Sequence, residues 1–197
     1  MKTQLPPDLP FRADAVAVGA SAGGIDALFA LYEALPAATR AAIITVLHLP
    51  ENHESRLVQV FGHRLRVPVA EAQPHAPVAG GTVYFAPPGY HLLLEADRSF
   101  SLSCDAPVLF SRPSIDVMME SCAEAYGERL LGIVLTGANE DGARGLARIA
   151  ALGGLTAVQD PSEAAHAAMP QAAIRLAEPD YVLSLAGLRS LLQTVAA

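Results

Sequence analysis

A glycine-rich turn places one serine where a nucleophile is needed. The segment GASAGG, residues 19–24, follows an apolar β-prone run and contains the pattern G-x-S-x-G around Ser21. Small neighbours permit a sharp turn that exposes the Ser21 hydroxyl at the N-terminus of the next helix, where free amides can stabilise an oxyanion. A phosphate cradle and a plain tight turn remain alternatives, although Ser21 stands where G-x-G-x-x-G requires glycine and no G-K-[ST] follows.

A serine needs a base at neutral pH, and His48 is the best placed histidine. It ends the apolar run AAIITVLH, so we expect it at the same edge of a parallel sheet as Ser21. A histidine that only caps a strand is the alternative. The other histidines have no spacing such as H-E-x-x-H that predicts a metal site, and they are His53, His63, His75, His91 and His166.

Asp141 supplies the carboxylate that such a histidine needs to fix its tautomer. It follows the apolar strand-like run LLGIVLTG, so we expect it at the same sheet edge. An N-cap of the next helix is the alternative role, and Glu140 is the rival carboxylate. The order Ser, His, Asp differs from the order Ser, Asp, His of α/β-hydrolases, so G-x-S-x-G does not imply that fold. The three groups together predict a serine hydrolase.

The elements around these residues alternate between strands and helices. This alternation predicts a three-layer α/β/α sandwich with a doubly wound, mostly parallel sheet. TVYFAPP and YHLLLE, divided by Pro87-Pro88-Gly89, predict a hairpin or closely joined strands. Ser114 is the predicted N-cap of a helix that ends at Gly127, and further helices are predicted over 141–152, 169–177 and 185–195.

Length and composition indicate one folded domain of 197 residues, with 52% hydrophobic and 17% charged residues. We expect a flexible tail over 1–12 and a single catalytic domain over 13–197, without a regulatory domain. No apolar run reaches the roughly 18 residues of a membrane span and no signal peptide is evident, which predicts a cytoplasmic protein. A net charge of -7 with a single lysine, Lys2, argues against nucleic acid as a partner. The two cysteines, Cys104 and Cys122, predict buried free thiols.

Several separated motifs resemble one known family. From about Val16 to Leu192 the chain is similar to CheB methylesterase domains, in a fixed order of motifs: GASAGG, HLP, VYFAPPGYHLLLE, SRPSIDVMMESCAEAYG, LTGANEDGARGL and GGLTAVQDPSEAAHAAMPQAAI. The resemblance implies hydrolysis of γ-glutamyl methyl esters on chemoreceptor cytoplasmic helices with release of methanol. In some members it also implies deamidation of receptor glutamines, and it implies that no cofactor is needed.

The resemblance also implies roles for individual residues. Ser21 would be the nucleophile, His48 the general base and then acid, and Asp141 the group that orients it. Arg112 matches a family position near the active site, where a guanidinium can meet a carboxylate; a surface charge or a local structural pair is the alternative. The amides of Ala22 and Ala138 can serve the oxyanion, because a backbone donor does not depend on the side chain.

Two departures from the family pattern leave other functions open. The family commonly has Thr at Ala22 and Met-Gly at Ala138-Asn139. Family members usually also carry an N-terminal phosphoacceptor domain, for which we expect no counterpart here. A catalytically weakened adaptor that binds a chemosensory signalling protein is therefore the second hypothesis. A nucleotide-binding module that uses residues 19–24 is the third.

Overall fold

A seven-stranded parallel sheet forms the centre of the molecule. The structure is a computed structural model that describes residues 1–6, 8–48 and 56–197. Every pair of neighbouring strands in this sheet is parallel, and the spatial order is β3-β4-β2-β1-β7-β8-β9. The strands are β1 (Ala15–Ala20), β2 (Ala42–Leu47), β3 (Val69–Glu71), β4 (Val83–Phe85), β7 (Leu130–Val134), β8 (Leu155–Gln159) and β9 (Tyr181–Leu183).

Helices cover both faces of the sheet. They are α1 (Gly24–Tyr32), α2 (Leu57–Gly62), α3 (Ile115–Tyr126), α4 (Ala143–Ala151), α5 (Ala168–Ala177) and α6 (Leu185–Val195). Alternate residues of β1 enter two separate apolar clusters, since Val16 packs with α1, α2 and α6 and Ala17 packs with α3, α4 and α5. A strand buried on both faces needs apolar residues throughout, which explains the continuous run AVAVGA. The predicted three-layer sandwich is confirmed.

The predicted β-hairpin is present, but TVYFAPP and YHLLLE are closely joined strands, the second alternative, and do not pair with each other. Tyr84 of β4 pairs in parallel with strands on both sides, so β4 belongs inside the main sheet. The segment after the proline pair forms β5 (His91–Leu94), whose antiparallel partner is β6 (Phe100–Ser103). The small two-stranded sheet that the fold does contain is therefore built from a later segment. Strand β6 could not be predicted from the sequence, because its residues, FSLS, form no continuous apolar run.

The direction of the chain across the sheet reverses at β1. The strands on one side of β1 are, in spatial order, β2, β4 and β3. The strands on the other side are β7, β8 and β9. Crevices for ligands form outside the carboxyl ends of the strands at such a switch point. In this protein the point lies where β1, β2 and β7 end, which is the edge expected for Ser21, His48 and Asp141.

The N-terminal segment contacts the domain, and the two cysteines differ in exposure. Residues 1–12, the expected flexible tail, contact the domain, since the Lys2 amide donates to Asp180 O at 2.7 Å and Lys2 O accepts the Val182 amide at 2.9 Å. Cys122 is buried as expected, but Cys104 is exposed because it lies in the loop after β6. No helix in the described ranges is long and apolar enough to cross a membrane. His53, and Leu49-Pro50 of the HLP motif, lie outside the described residues.

Candidate active site

Ser21 lies in a tight turn between β1 and α1. Its amide donates to Thr136 O at 2.9 Å, and its carbonyl accepts the Gly24 amide at 2.8 Å. Gly23 has a φ of 77°, a left-handed conformation that glycine adopts without strain, and a Cβ there would lie 2.7 Å from Ala165 Cβ. The turn therefore ends the strand abruptly and leaves Ser21 half-buried at the N-terminus of α1.

His48 is the first residue after β2 and lies beside this turn. The register pairs Ala20 with Leu47, and the His48 amide donates to Ala20 O at 3.1 Å. Because neighbouring strands are about 4.8 Å apart, Ser21 and His48 leave the sheet side by side. The His48 side chain is 11% exposed. The expectation that both residues emerge at one edge is met.

Asp141 is fully buried and bonds the imidazole of His48. Its Oδ2 lies 2.8 Å from His48 Nε2. An ionised carboxylate only accepts hydrogen bonds, so Nε2 carries the proton and Nδ1 has the free lone pair that a general base needs. Glu140, the rival carboxylate, is exposed and forms no bond with His48 within the described chain.

The Asp141 carboxylate also receives the N-terminus of α3. Oδ1 accepts the Ser114 hydroxyl at 2.8 Å and the Asp116 amide at 2.9 Å, and Oδ2 accepts the Ile115 amide at 2.7 Å. Burial alone would raise the pKa of Asp141, but the bonds from His48 and from these two amides outweigh it and hold the pKa below its ordinary value. Asp141 is therefore ionised at neutral pH.

The predicted N-cap role of Asp141 applies to a different helix. The residue at the N-cap position of α4 is Gly142, and Asp141 receives donors from α3 instead. The acceptor at the start of α4 is Asp116, whose Oδ1 accepts the amides of Gly142 and Gly145, each at 2.8 Å. Burial, reinforced by the nearby charge of Asp141, raises the pKa of Asp116 despite these two bonds.

A second serine, Ser111, contacts the free nitrogen of His48. Its Oγ lies 3.3 Å from His48 Nδ1, and because Nδ1 is the unprotonated nitrogen, Ser111 is the donor. In the described part of the chain no hydrogen bond joins the Ser21 hydroxyl to the His48 ring. Sequence reasoning missed Ser111, because it lies in an irregular loop with no strand or helix pattern to mark its direction.

Backbone donors surround the Ser21 turn. Among the described residues, the amides of Ala22 and Ala138 have no hydrogen-bond acceptor. Thr136 ties their two loops together, since its hydroxyl donates to Ala22 O at 2.9 Å and accepts the His166 amide at 2.9 Å. Both amides therefore have no acceptor in this part of the chain, and the contact with Thr136 was not predicted from sequence.

Arg112 is held by the loop that follows β6. Its Nη1 donates to Cys104 O and to Asp105 O, each at 3.0 Å, which corresponds to the structural pairing considered for it. Its Nε is buried and has no acceptor among the described residues. Arg112 lies next to Ser111 in the chain, so these bonds also anchor the loop that brings Ser111 to His48.

The described residues contain no candidate metal site. No group of three or more His, Cys, Asp or Glu side chains able to hold a metal ion occurs among them. His91, one of the rejected histidines, has a structural role: its Nδ1 accepts the Ser114 amide at 3.1 Å and its Nε2 lies 3.1 Å from Ala106 O.

Comparisons with known proteins agree on one family. The family model described as CheB methylesterase matches residues 16–192. A relative from Leptospira interrogans is 43% identical over 172 residues, which are 87% of this chain and 89% of the relative. A protein-glutamate methylesterase/protein-glutamine glutaminase from Symbiobacterium thermophilum is 36% identical over 168 residues, which are 85% of this chain and 46% of that protein.

A solved structure agrees with the fold. The crystal structure of the Thermotoga maritima CheB methylesterase catalytic domain superposes with a TM-score of 0.88 at 28% sequence identity. The match covers 92% of this chain and 98% of that domain. The architecture and the order of elements around the candidate site are therefore those of that catalytic domain.

Proposed function

Because the chain belongs to the CheB methylesterase family, we propose that it is a protein-glutamate methylesterase that hydrolyses γ-glutamyl methyl esters of chemoreceptors. The same chemistry extends to deamidation of receptor glutamines, since an amide differs from the ester only in its leaving group. The observation that carries the proposal is the 2.8 Å bond between His48 Nε2 and Asp141 Oδ2, beside the Ser21 turn at the switch point of the sheet.

In the first half of the proposed reaction, Ser21 Oγ attacks the ester carbonyl carbon. His48 Nδ1 takes the hydroxyl proton, and the charge of Asp141 stabilises the imidazolium that forms. The carbonyl oxygen becomes an oxyanion that the amides of Ala22 and Ala138 stabilise. The tetrahedral species then collapses, the imidazolium returns the proton to the methoxy oxygen, and methanol leaves a glutamyl ester on Ser21.

In the second half, water replaces the serine. His48 Nδ1 takes a proton from the water, whose oxygen attacks the acyl carbon, and the proton then passes to Ser21 Oγ as the glutamate is released. For a glutamine substrate, ammonia takes the place of methanol as the first product. Each step uses Nδ1, so the Ser111 hydroxyl must release this nitrogen before Ser21 can donate to it.

The partners follow from the proposed substrate. The methylated side chains would lie on cytoplasmic helices of chemoreceptors, so the proposal places the enzyme in the cytoplasm. Other chemosensory signalling proteins are further candidate partners. No cofactor enters any step of the proposed reaction.

The test is methanol release from a methylated receptor cytoplasmic fragment. Wild-type protein is expected to release methanol and Ser21→Ala is not, while both bind the fragment. Binding of the fragment by the wild type without any methanol would contradict the proposal and favour the adaptor. A thermal shift with nucleotides, in a protein that neither binds nor hydrolyses the fragment, would favour the nucleotide-binding module.

A further inference from the structure

An apolar side chain stands free at the rim of the candidate site. Phe110 is 99% exposed, although large apolar side chains are usually removed from water. It lies at the apex of a tight turn that two backbone bonds close, from the Val108 amide to Ser111 O at 3.1 Å and from the Ser111 amide to Val108 O at 2.8 Å. The hydrogen-bonded backbone of this turn therefore holds the Phe110 side chain away from the protein surface.

The turn is an unfavourable one for the residues that form it. Leu109 has a φ of 48° and Phe110 a φ of 63°, in the left-handed region where turns of this type prefer Asn and Gly. Residues held in such conformations are strained and concentrate at functional sites. The conformation of the turn therefore does not explain why Leu109 and Phe110 occupy its apex.

The position of the turn connects it to the chemistry. Ser111, the residue after Phe110, is the one whose hydroxyl lies 3.3 Å from His48 Nδ1. Consecutive Cα atoms are 3.8 Å apart, so the phenyl ring begins one residue from the contact to the proposed base. Phe110 is therefore adjacent in the chain to the residue that contacts the proposed base.

A groove with two arginines continues from this turn. It has a volume of about 470 Å³, and its lining includes Leu109, Leu176, Arg144, Arg175, Glu140 and Asp116. Leu176 is 53% exposed, which extends the apolar surface from the turn to the end of α5. Asp116 is buried and its carboxylate accepts two amides of α4, and Arg144 pairs with Glu120 at 2.9 Å. Glu140 is an exposed acidic residue of the same lining, and Arg175 forms no ion pair among the described residues.

We propose that the turn 108–111 and this groove form the docking surface for a helix of the methylated substrate. This inference rests on the proposed function. A helix that carries glutamates and their esters presents neighbours three and four residues away, about 6 Å apart along its surface, so free carboxylates flank the ester. Phe110 packs against the apolar seam of that helix, and Arg144 and Arg175 meet its free carboxylates on a chain whose net charge is -7.

The test measures binding separately from hydrolysis. In the inactive Ser21→Ala background, Phe110→Ser is expected to weaken the Kd for a methylated receptor fragment about tenfold or more. The matched control is Val60→Ser, which removes a 44% exposed apolar side chain from α2 on the opposite face of the sheet. Because both side chains are exposed, neither substitution should lower the thermal midpoint, which is measured alongside.

The arginine contribution has its own pair of variants. Arg175→Glu and Arg189→Glu change the net charge equally, but Arg189 lies on α6 in the opposite layer. Arg175→Glu is expected to weaken binding about tenfold at low salt and less at high salt, and Arg189→Glu to change it less than twofold. Equal effects from the two members of either pair would overturn the docking surface.

Two further outcomes separate this inference from the proposed function. If the wild type releases no methanol but Phe110→Ser still weakens binding, the catalytic proposal fails and the docking surface stands. If the wild type forms a dimer that Phe110→Ser dissociates, and receptor binding does not change, the surface binds a second copy and the docking proposal is wrong. Sedimentation of the wild type and of Phe110→Ser measures the oligomeric state of each.

Discussion

Asp116 and Asp141 each accept the amides at the start of the other's helix. Asp141, which precedes α4, accepts the Asp116 amide of α3 at 2.9 Å, and Asp116 accepts the Gly142 amide that opens α4 at 2.8 Å. Helix N-termini attract negative charge, so this exchange satisfies donors of two helices with two buried carboxylates. It also fixes the position from which Asp141 reaches His48. The geometry of the proposed base therefore depends on the packing of α3 against α4.

The first prediction concerns the stability contributed by Asp116. Asp116→Ala leaves the amides of Gly142 and Gly145 buried without their acceptor, and it should lower the free energy of unfolding by about 2 kcal/mol. Asp116→Asn keeps a carbonyl oxygen that accepts both amides and removes repulsion from Asp141, so its free energy of unfolding should stay within about 1 kcal/mol of wild type. Urea unfolding at pH 7 measures both values. Equal losses in the two variants would show that charge, not acceptance, matters at Asp116.

The second prediction concerns the charge of Asp141 in catalysis. Asp141→Asn removes the negative charge that stabilises the imidazolium of His48, so kcat for methanol release should fall by about 10³-fold or more. Glu33→Gln is the control for loss of a carboxylate, because Glu33 is exposed and follows the C-terminal end of α1, away from the Ser21 turn. We expect kcat of this control to stay within about twofold of wild type. Similar losses in the two variants would argue against Asp141 as the partner of His48.

The third prediction follows from the lowered pKa of Asp141. A carboxylate whose pKa is lower in the folded state stabilises the fold above its unfolded pKa of about 3.9, and this contribution disappears as the pH falls through the folded value. The difference in free energy of unfolding between wild type and Asp141→Asn should therefore shrink as the pH falls from about 4 through the folded pKa of Asp141. Urea titrations at stepped pH below 4 measure it. A difference that stays constant or grows over this range would contradict the assigned direction.

Asp116 should show the opposite dependence, because burial raises its pKa. Its ionised form is disfavoured in the fold, so the stability of the wild type relative to Asp116→Asn should decline as the pH rises from about 4 through the folded pKa. Urea titrations between pH 4 and pH 7 provide this comparison. A constant difference between pH 4 and pH 7 would mean that Asp116 titrates alike in the folded and unfolded states.

Local patterns were sufficient for the parts of the fold that depend on burial. Strands β1, β2 and β7 are apolar throughout because both faces are covered, and such runs are visible in sequence. The rule that parallel strands present ligands at their carboxyl ends then brought Ser21, His48 and Asp141 to one edge. The cap at Ser114 was equally local, since its hydroxyl accepts the Val117 amide within the same turn.

Contacts between distant segments explain what the sequence did not reveal. Pro87-Pro88-Gly89 has the composition of a hairpin turn, but the pairing partner of a strand depends on the whole sheet, and β4 pairs with β2 and β3. The bonds of Asp116 to the start of α4 require the packing of two helices, which no pattern within a single helix reveals. Ser111 reaches His48 across 63 residues of chain, and no local pattern encodes that distance.

The last prediction separates the two serines near the imidazole. Ser21 leaves the sheet beside His48, while Ser111 donates to His48 Nδ1, so either serine is a candidate nucleophile for the same base. If Ser21 is the nucleophile, Ser21→Ala should reduce kcat for methanol release by about 10³-fold or more. Ser111→Ala should retain kcat within about tenfold, because Asp141 continues to hold the ring through Nε2. Trapping the acyl-enzyme by rapid acid quench and mapping the modified peptide identifies the serine directly, and a glutamyl adduct on Ser111 would reverse the assignment.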